Sequence, residues 1–312
     1  MTLLDPARTA LFLDSSPLLE DPELLRLRAQ GDGLLYLRGL LPRQDVLDVR
    51  ADVLDVIQRD GWLREDWTAE SPTVDQAAYR RAMDADGGNV HELNVPVDLY
   101  RRIQSLESFH SLAIHPRLLE LYATLFGGPV LPHPRNIARV QVPSPGNKAT
   151  PAHQDFIFIQ GTSKTWTAWI PLGDAPVELG PLTVLAGSQR EGVLDYHTAG
   201  GAGGMEAYLC GLDYVWTEGP FAAGDVLTFE SQTVHKALPN RTEAMRLSAD
   251  FRYQPAHEPV TPESLQTHGN FIDWPEIYDG WSQRYPRYYW RKDTLELSEF
   301  DPLVRWQKHK IC

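Results

Sequence analysis

The chain has 312 residues, 42% of them hydrophobic, and a formal net charge of −13 from 42 acidic against 29 basic side chains. That charge opposes docking on a phosphate backbone, so nucleic acid is excluded as a direct partner, while a local group of arginines can still hold a small anion. No run approaches the ~20 apolar residues of a membrane span, Met1 to Pro6 lack the basic flank and apolar stretch of a signal peptide, and two cysteines, Cys210 and Cys312, imply no disulfide framework, so a cytoplasmic protein is expected.

In chain order, Pro42 and Gly61 bracket residues 43–59, where Val46, Val49, Val53, Leu54 and Ile57 recur at helical spacing. Residues 60–110 read as irregular, and Trp62, Trp67, Tyr79, Arg80 and Arg81 there are candidates for a substrate's side of a site. A second helix is expected over 116–126, closed by Gly127-Gly128. From residue 135 the pattern turns to short runs bounded by Pro and Gly, predicting strands over 136–143, 152–160, 165–171, 181–185, 225–230, 233–237 and 245–253. Between Ser188 and Gly224, Ala199-Gly200-Gly201-Ala202-Gly203-Gly204 is too flexible for a regular element and is placed where a loop can close over a site. The tail holds Trp274, Trp281, Tyr285, Tyr288, Tyr289, Trp290 and Trp306, which pack the back of the core or an oligomer contact. The expectation is one elaborated, mainly β domain with flanking helices: a largely helical part over 1–130, a sandwich or barrel core over 131–255 and an aromatic extension over 256–312.

The chemistry concentrates in the core. His153, Gln154 and Asp155 precede the apolar run Phe156-Ile157-Phe158-Ile159, and a strand there turns the imidazole and the carboxylate to one face. A third ligand is expected from His235, just after Val226-Leu227-Thr228-Phe229, with His91, His110, His133, His197 and His268 as rivals. Two neutral imidazoles and one carboxylate, with other positions open, suit Fe(II) used for oxygen chemistry. Arg246 opens the alternating run Arg246-Leu247-Ser248-Ala249-Asp250-Phe251-Arg252-Tyr253, and a guanidinium there can grip a carboxylate with two hydrogen bonds. Period 2 puts Ser248, Asp250 and Arg252 on its side, and Arg139 on that of Gln141. Arg139 and Arg252 are therefore candidates for an anionic substrate group, beside a structural pairing with Asp250.

The sequence resembles the phytanoyl-CoA dioxygenase family. The resemblance runs in order through Asp32-Gly33-Leu34-Leu35-Tyr36-Leu37-Arg38-Gly39-Leu40-Leu41, His115-Pro116-Arg117-Leu118-Leu119, the His153 to Asp155 triplet and Thr167-Ala168-Trp169-Ile170-Pro171-Leu172. It continues through Gly180-Pro181-Leu182-Thr183-Val184-Leu185-Ala186-Gly187-Ser188, Gly224-Asp225-Val226, His235 with Asn240, and Arg246. It implies a double-stranded β-helix core, the jelly roll of the cupin-like enzymes, and dependence on Fe(II), 2-oxoglutarate and dioxygen. It further implies His153, Asp155 and His235 as iron ligands, Arg246 on the far carboxylate of 2-oxoglutarate, and Gln141 and Trp169 lining that pocket. Hydroxylation of a small molecule, with 2-oxoglutarate converted to succinate and CO2, is the activity expected. Members that halogenate replace the carboxylate with a small residue, and Asp155 is intact. One place departs from the family: a Ser or Thr two residues after the distal histidine is here Ala237, and Thr165 or Thr167 is a candidate to supply that hydroxyl. The departure keeps open a jelly-roll metalloenzyme of lyase or isomerase type without 2-oxoglutarate, alongside a non-catalytic binding protein.

Overall fold

The computed structural model describes residues 9–88, 93–144, 147–282, 284–291 and 294–306. The elements are β1 (Thr9–Leu11), α1 (Pro22–Asp32), β2 (Leu34–Leu37), α2 (Arg43–Arg59), α3 (Gln76–Ala85), α4 (Val97–Gln104), α5 (Glu107–Ala113), α6 (Pro116–Phe126), β3 (Val130–Pro132) and β4 (Ile137–Gln141). After them come α7 (Phe156–Ile159), β5 (Trp166–Pro171), β6 (Leu182–Ala186), β7 (Tyr196–Thr198), β8 (Met205–Ala207), β9 (Val215–Glu218), β10 (Val226–Glu230), β11 (His235–Ala237), β12 (Arg246–Pro255) and α8 (Trp274–Ile277).

Two sheets face each other. One orders its strands β2-β10-β5-β12-β3, with β4 also pairing β12, and the other runs β1-β9-β6-β11. This is the expected jelly roll. Between the sheets pack Phe12, Leu34, Tyr36, Trp169, Leu182, Val184, Phe221, Leu227, Phe229 and Ala237. The outer face of the larger sheet carries Ala168, Ile170, Leu247, Ala249, Phe251 and Tyr253, which join one cluster with Val46, Val53, Ile57, Leu99, Phe109 and Leu118 of the helices. Strand β12 is buried along its whole length, and its alternation sends apolar side chains to the helices and Arg246, Ser248, Asp250 and Arg252 to the space between the sheets. Charged residues tolerate that placement only when something compensates them.

Helices α2 and α6 occupy the predicted ranges. Residues 60–110 are not irregular throughout, because α3 and α4 fall within them and α5 begins there, and Trp62 and Tyr79 meet edge-on at 5.4 Å inside the helix-side core. Arg80 and Arg81 are exposed on α3. The strand expected over 152–160 is replaced by a single bridge at His153 and a helical turn at α7. Four apolar residues suit either geometry; here the Asp155 carbonyl accepts from the amides of Phe158 and Ile159, and Gln160 and Gly161 end the turn with φ of 48° and 78°. The glycine-rich stretch is the tip of the β7–β8 hairpin, whose Gly201 and Gly203 lie against Ala149 and Phe158. Tail residues Trp274, Trp281, Tyr285 and Trp290 cluster with Leu131 and Val260, whereas Trp306 is half exposed. Cys210 is not free, and Cys312 lies outside the described residues. Among the described residues no helix is long and apolar enough to cross a membrane.

Candidate metal centre

His153 and His235 come from segments far apart in sequence that the fold makes neighbours. Their backbones exchange both hydrogen bonds, each amide 2.9 Å from the other's carbonyl, and their rings lie 4.2 Å apart. The His153 Nδ1 is 2.8 Å from the Pro151 carbonyl and the His235 Nδ1 is 3.1 Å from that of Thr233. A carbonyl can only accept, so both Nδ1 atoms carry a proton, and Nε2 is the nitrogen of each ring left to ligate. Those Nε2 atoms face Asp155 Oδ1 at 3.7 and 3.8 Å. One ligand atom from each residue falls within 4.8 Å of the others, and among the described residues no other trio of His, Cys, Asp or Glu does so.

Electrostatics prepares the donors. Burial, helped by the neighbouring His153, brings His235 down to about 3, so it stays neutral and able to ligate. Burial works to raise Asp155, yet the Arg252 guanidinium and the two histidines hold it well below the usual carboxylate range. Its other oxygen, Oδ2, accepts from Thr167 Oγ1 at 2.5 Å and from Arg252 Nε and Nη2 at 3.3 and 3.2 Å. Arg252, read as a substrate anchor, is thus engaged on Asp155, and Thr167, read as lining the cosubstrate, meets the same carboxylate. Thr165 turns toward Gln254 at 3.5 Å, away from Arg246.

Arg246 is buried, donates to the Gly180 carbonyl, and sets its guanidinium 5.7 Å from the Trp169 ring centre. Burial brings it down to about 10, which leaves it cationic at neutral pH. Gln141 stands directly opposite Arg246 in the β4–β12 register. Arg139 donates from Nε to Asp250 Oδ2 at 2.8 Å, and its side chain keeps 29% exposure. The metal trio, Thr167, Trp169, Arg246 and Arg139 line one cleft. Along β12, Arg246 Nε, Ser248 Oγ and Asp250 Oδ1 are buried without a hydrogen-bond partner among the described residues. Ser248 is the polar group that sequence patterning placed on the correct side without assigning a task.

The rival histidines are engaged elsewhere. His110 and His133 are buried against Gln104, Asn136 and Gln254, His268 meets Tyr100 at 2.6 Å, and His197 lies 3.7 Å from Glu206. His91 lies outside the described residues.

Comparison with known proteins bears on this geometry. The profile of the family described as phytanoyl-CoA dioxygenase matches residues 29–248. The chain belongs to the phytanoyl-CoA dioxygenase family. A relative named 1-deoxypentalenic acid 11-beta-hydroxylase, from Streptomyces exfoliatus, is 27% identical over 279 residues, covering 85% of this chain and 90% of its own. Its counterpart from Streptomyces arenae matches to the same extent, 27% over 279 residues. Among solved structures, the epimerase SnoN in complex with Fe3+, alpha ketoglutarate and nogalamycin RO superposes with a TM-score of 0.53 at 23% identity, covering 78% of this chain and 87% of that one. That likeness shows the shared fold.

The donor set fits the metal that the family uses. Two neutral imidazoles and one carboxylate on one side of an ion are the ligands of non-haem Fe(II) oxygenases, and the unpartnered, buried Arg246 Nε and Ser248 Oγ fit a polar cosubstrate. Family and site together make the chain an Fe(II)- and 2-oxoglutarate-dependent dioxygenase. The readings as a lyase or isomerase, or as a non-catalytic binding protein, give way to it.

Proposed function

We propose that this dioxygenase hydroxylates a small organic acid, with His153, Asp155 and His235 holding the iron, Arg246 gripping the far carboxylate of 2-oxoglutarate, and Arg139 gripping an anionic group of the substrate. When bound, the iron supplies oxygen activation coupled to decarboxylation of 2-oxoglutarate to succinate and CO2. The protein's residues orient and exclude. Arg246, already stacked near Trp169, needs a negative partner to offset its burial, and the unpartnered Ser248 hydroxyl one inward position along β12 takes the part that Ala237 lacks. The observation that carries the substrate reading is Arg139: it lines the cleft with 29% of its side chain exposed, and its hydrogen bond to Asp250 uses Nε. The name of the 27% identical relative, which acts on an acid, supports the same class.

A cavity of about 590 Å³ meets the metal cleft at Thr150 and is walled in part by Ala199 and Gly200 of the hairpin tip. It is of the size that small-molecule sites occupy, and it makes the glycine-rich tip a wall of the substrate's approach. The test is succinate release from 2-oxoglutarate with Fe(II) in air, across a panel of small carboxylic acids and their methyl esters. Acids should stimulate turnover over the substrate-free rate and esters should not. Arg139→Gln should raise the KM of the acid about tenfold, the scale of one charge-assisted hydrogen bond, with the 2-oxoglutarate KM little changed. Equal stimulation by acids and esters would remove Arg139 from substrate recognition.

A further inference from the structure

Asp155 is held differently from its two companion ligands. The histidines are fixed by their shared backbone ladder and by carbonyls behind each ring. The carboxylate projects from the residue that starts α7, and side chains alone decide which of its oxygens faces the imidazoles. Thr167 and Arg252 make that decision. They stand directly opposite each other in the β5–β12 register, so a hydroxyl from one strand and a guanidinium from the next converge on the same oxygen, Oδ2, at 2.5 Å and at 3.2 to 3.3 Å. Oδ1 is left facing both Nε2 atoms.

We propose that Thr167 and Arg252 are positioning residues that confine Asp155 to a single-oxygen bond with the metal. The inference rests on the iron and 2-oxoglutarate reading of this site. A carboxylate with both oxygens free can chelate, and chelation would take up a coordination position that cosubstrate and dioxygen need. The pair of donors occupies the second oxygen and prevents this, while the positive charge of Arg252 draws electron density from the carboxylate and tempers its donation. A merely structural ion pair would contribute to folding but leave the coordination of the ion unaltered.

Cobalt(II) reports on coordination number through its visible absorption, and it serves as the probe with the purified full chain. Thr167→Val removes one donor at constant shape, and Arg252→Met removes the guanidinium while keeping a long apolar side chain. Each variant should still bind cobalt(II), with a weaker visible absorption than wild type as the ion gains a ligand atom. Affinity of the cobalt(II) protein for 2-oxoglutarate should fall about tenfold, the low end of what such outer contacts contribute. Spectra and 2-oxoglutarate affinity equal to wild type in a folded Arg252→Met protein would overturn the proposal. Should that variant fail to fold, the same comparison with Thr167→Val decides it. A wild-type chain that binds no cobalt(II) would fail earlier and remove the metal centre itself, so the two failures are told apart.

Discussion

A buried guanidinium with a spare donor demands a negative partner, and Arg246 is such a group. Its Nη1 meets only a carbonyl, its Nε meets nothing among the described residues, and it remains charged at neutral pH. Arg246→Lys keeps the charge and loses the planar fork. Steady-state succinate kinetics should show the KM for 2-oxoglutarate rising by roughly 10- to 100-fold, the scale of 1.5–3 kcal/mol for a hydrogen bond to a charged group, with metal binding unaltered. An unchanged KM would place the cosubstrate's carboxylate elsewhere. Arg246 and the metal trio were legible because their residue types and order are specific. Arg252 and Thr167 were placed on the correct side, but their meeting at Asp155 was not read. Alternation along a strand tells which face a side chain takes, but how far along the cleft it reaches depends on register, and Arg252 pairs with Thr167 only once β5 and β12 are aligned.

At the scale of elements, β4, β5, β6, β10, β11 and β12 were readable from their turn signals, whereas β1 to β3, β7 to β9 and the short helices before the core were not. Helices α3, α4 and α5 have 10, 8 and 7 residues and are joined by polar stretches, too short for a periodic pattern to stand out. The helical turn α7 defeated the reading of a strand for a different reason: its conformation comes from the Asp155 carbonyl and the bend at Gln160, not from its own apolar residues. One turn elsewhere bears on the site directly. Gly180 has φ of 76°, and a Cβ there would come within 2.5 Å of the Leu238 carbonyl oxygen, while its own carbonyl holds Arg246. Gly180→Ala should therefore lower stability by about 1–3 kcal/mol and raise the 2-oxoglutarate KM as well. Denaturant midpoints and cosubstrate kinetics on one preparation check both; a destabilised variant with normal KM would detach Gly180 from the site.

For the whole molecule, buried histidines set the response to acid. Burial brings both His110 and His133 down to about 4, against an ordinary value of 6.5. Both are neutral in the fold, so between pH 6.5 and 4 the unfolded chain binds protons that the folded chain refuses. Stability is full above 6.5 and is lost as pH falls toward 4, by on the order of 3 kcal/mol for each histidine. Glu230 opposes this, since burial pushes it up to about 7 and its penalty is relieved on acidification. Two histidines outweigh one carboxyl, so thermal unfolding should shift to lower temperature from pH 7 to 4.5, and His133→Gln should flatten the profile. A flat wild-type profile would mean that these imidazoles are not held neutral.

The paired backbone bonds between His153 and His235 divide the labour within the trio. Peptide geometry and the carbonyls behind each ring space the two nitrogens before any ion arrives. Asp155 hangs outside that ladder, on a turn kept in place by its neighbours. The chain thus carries a durable two-nitrogen cradle and one interchangeable part: exchanging residue 155 should retune the ion that the cradle receives, whereas exchanging either histidine dismantles it.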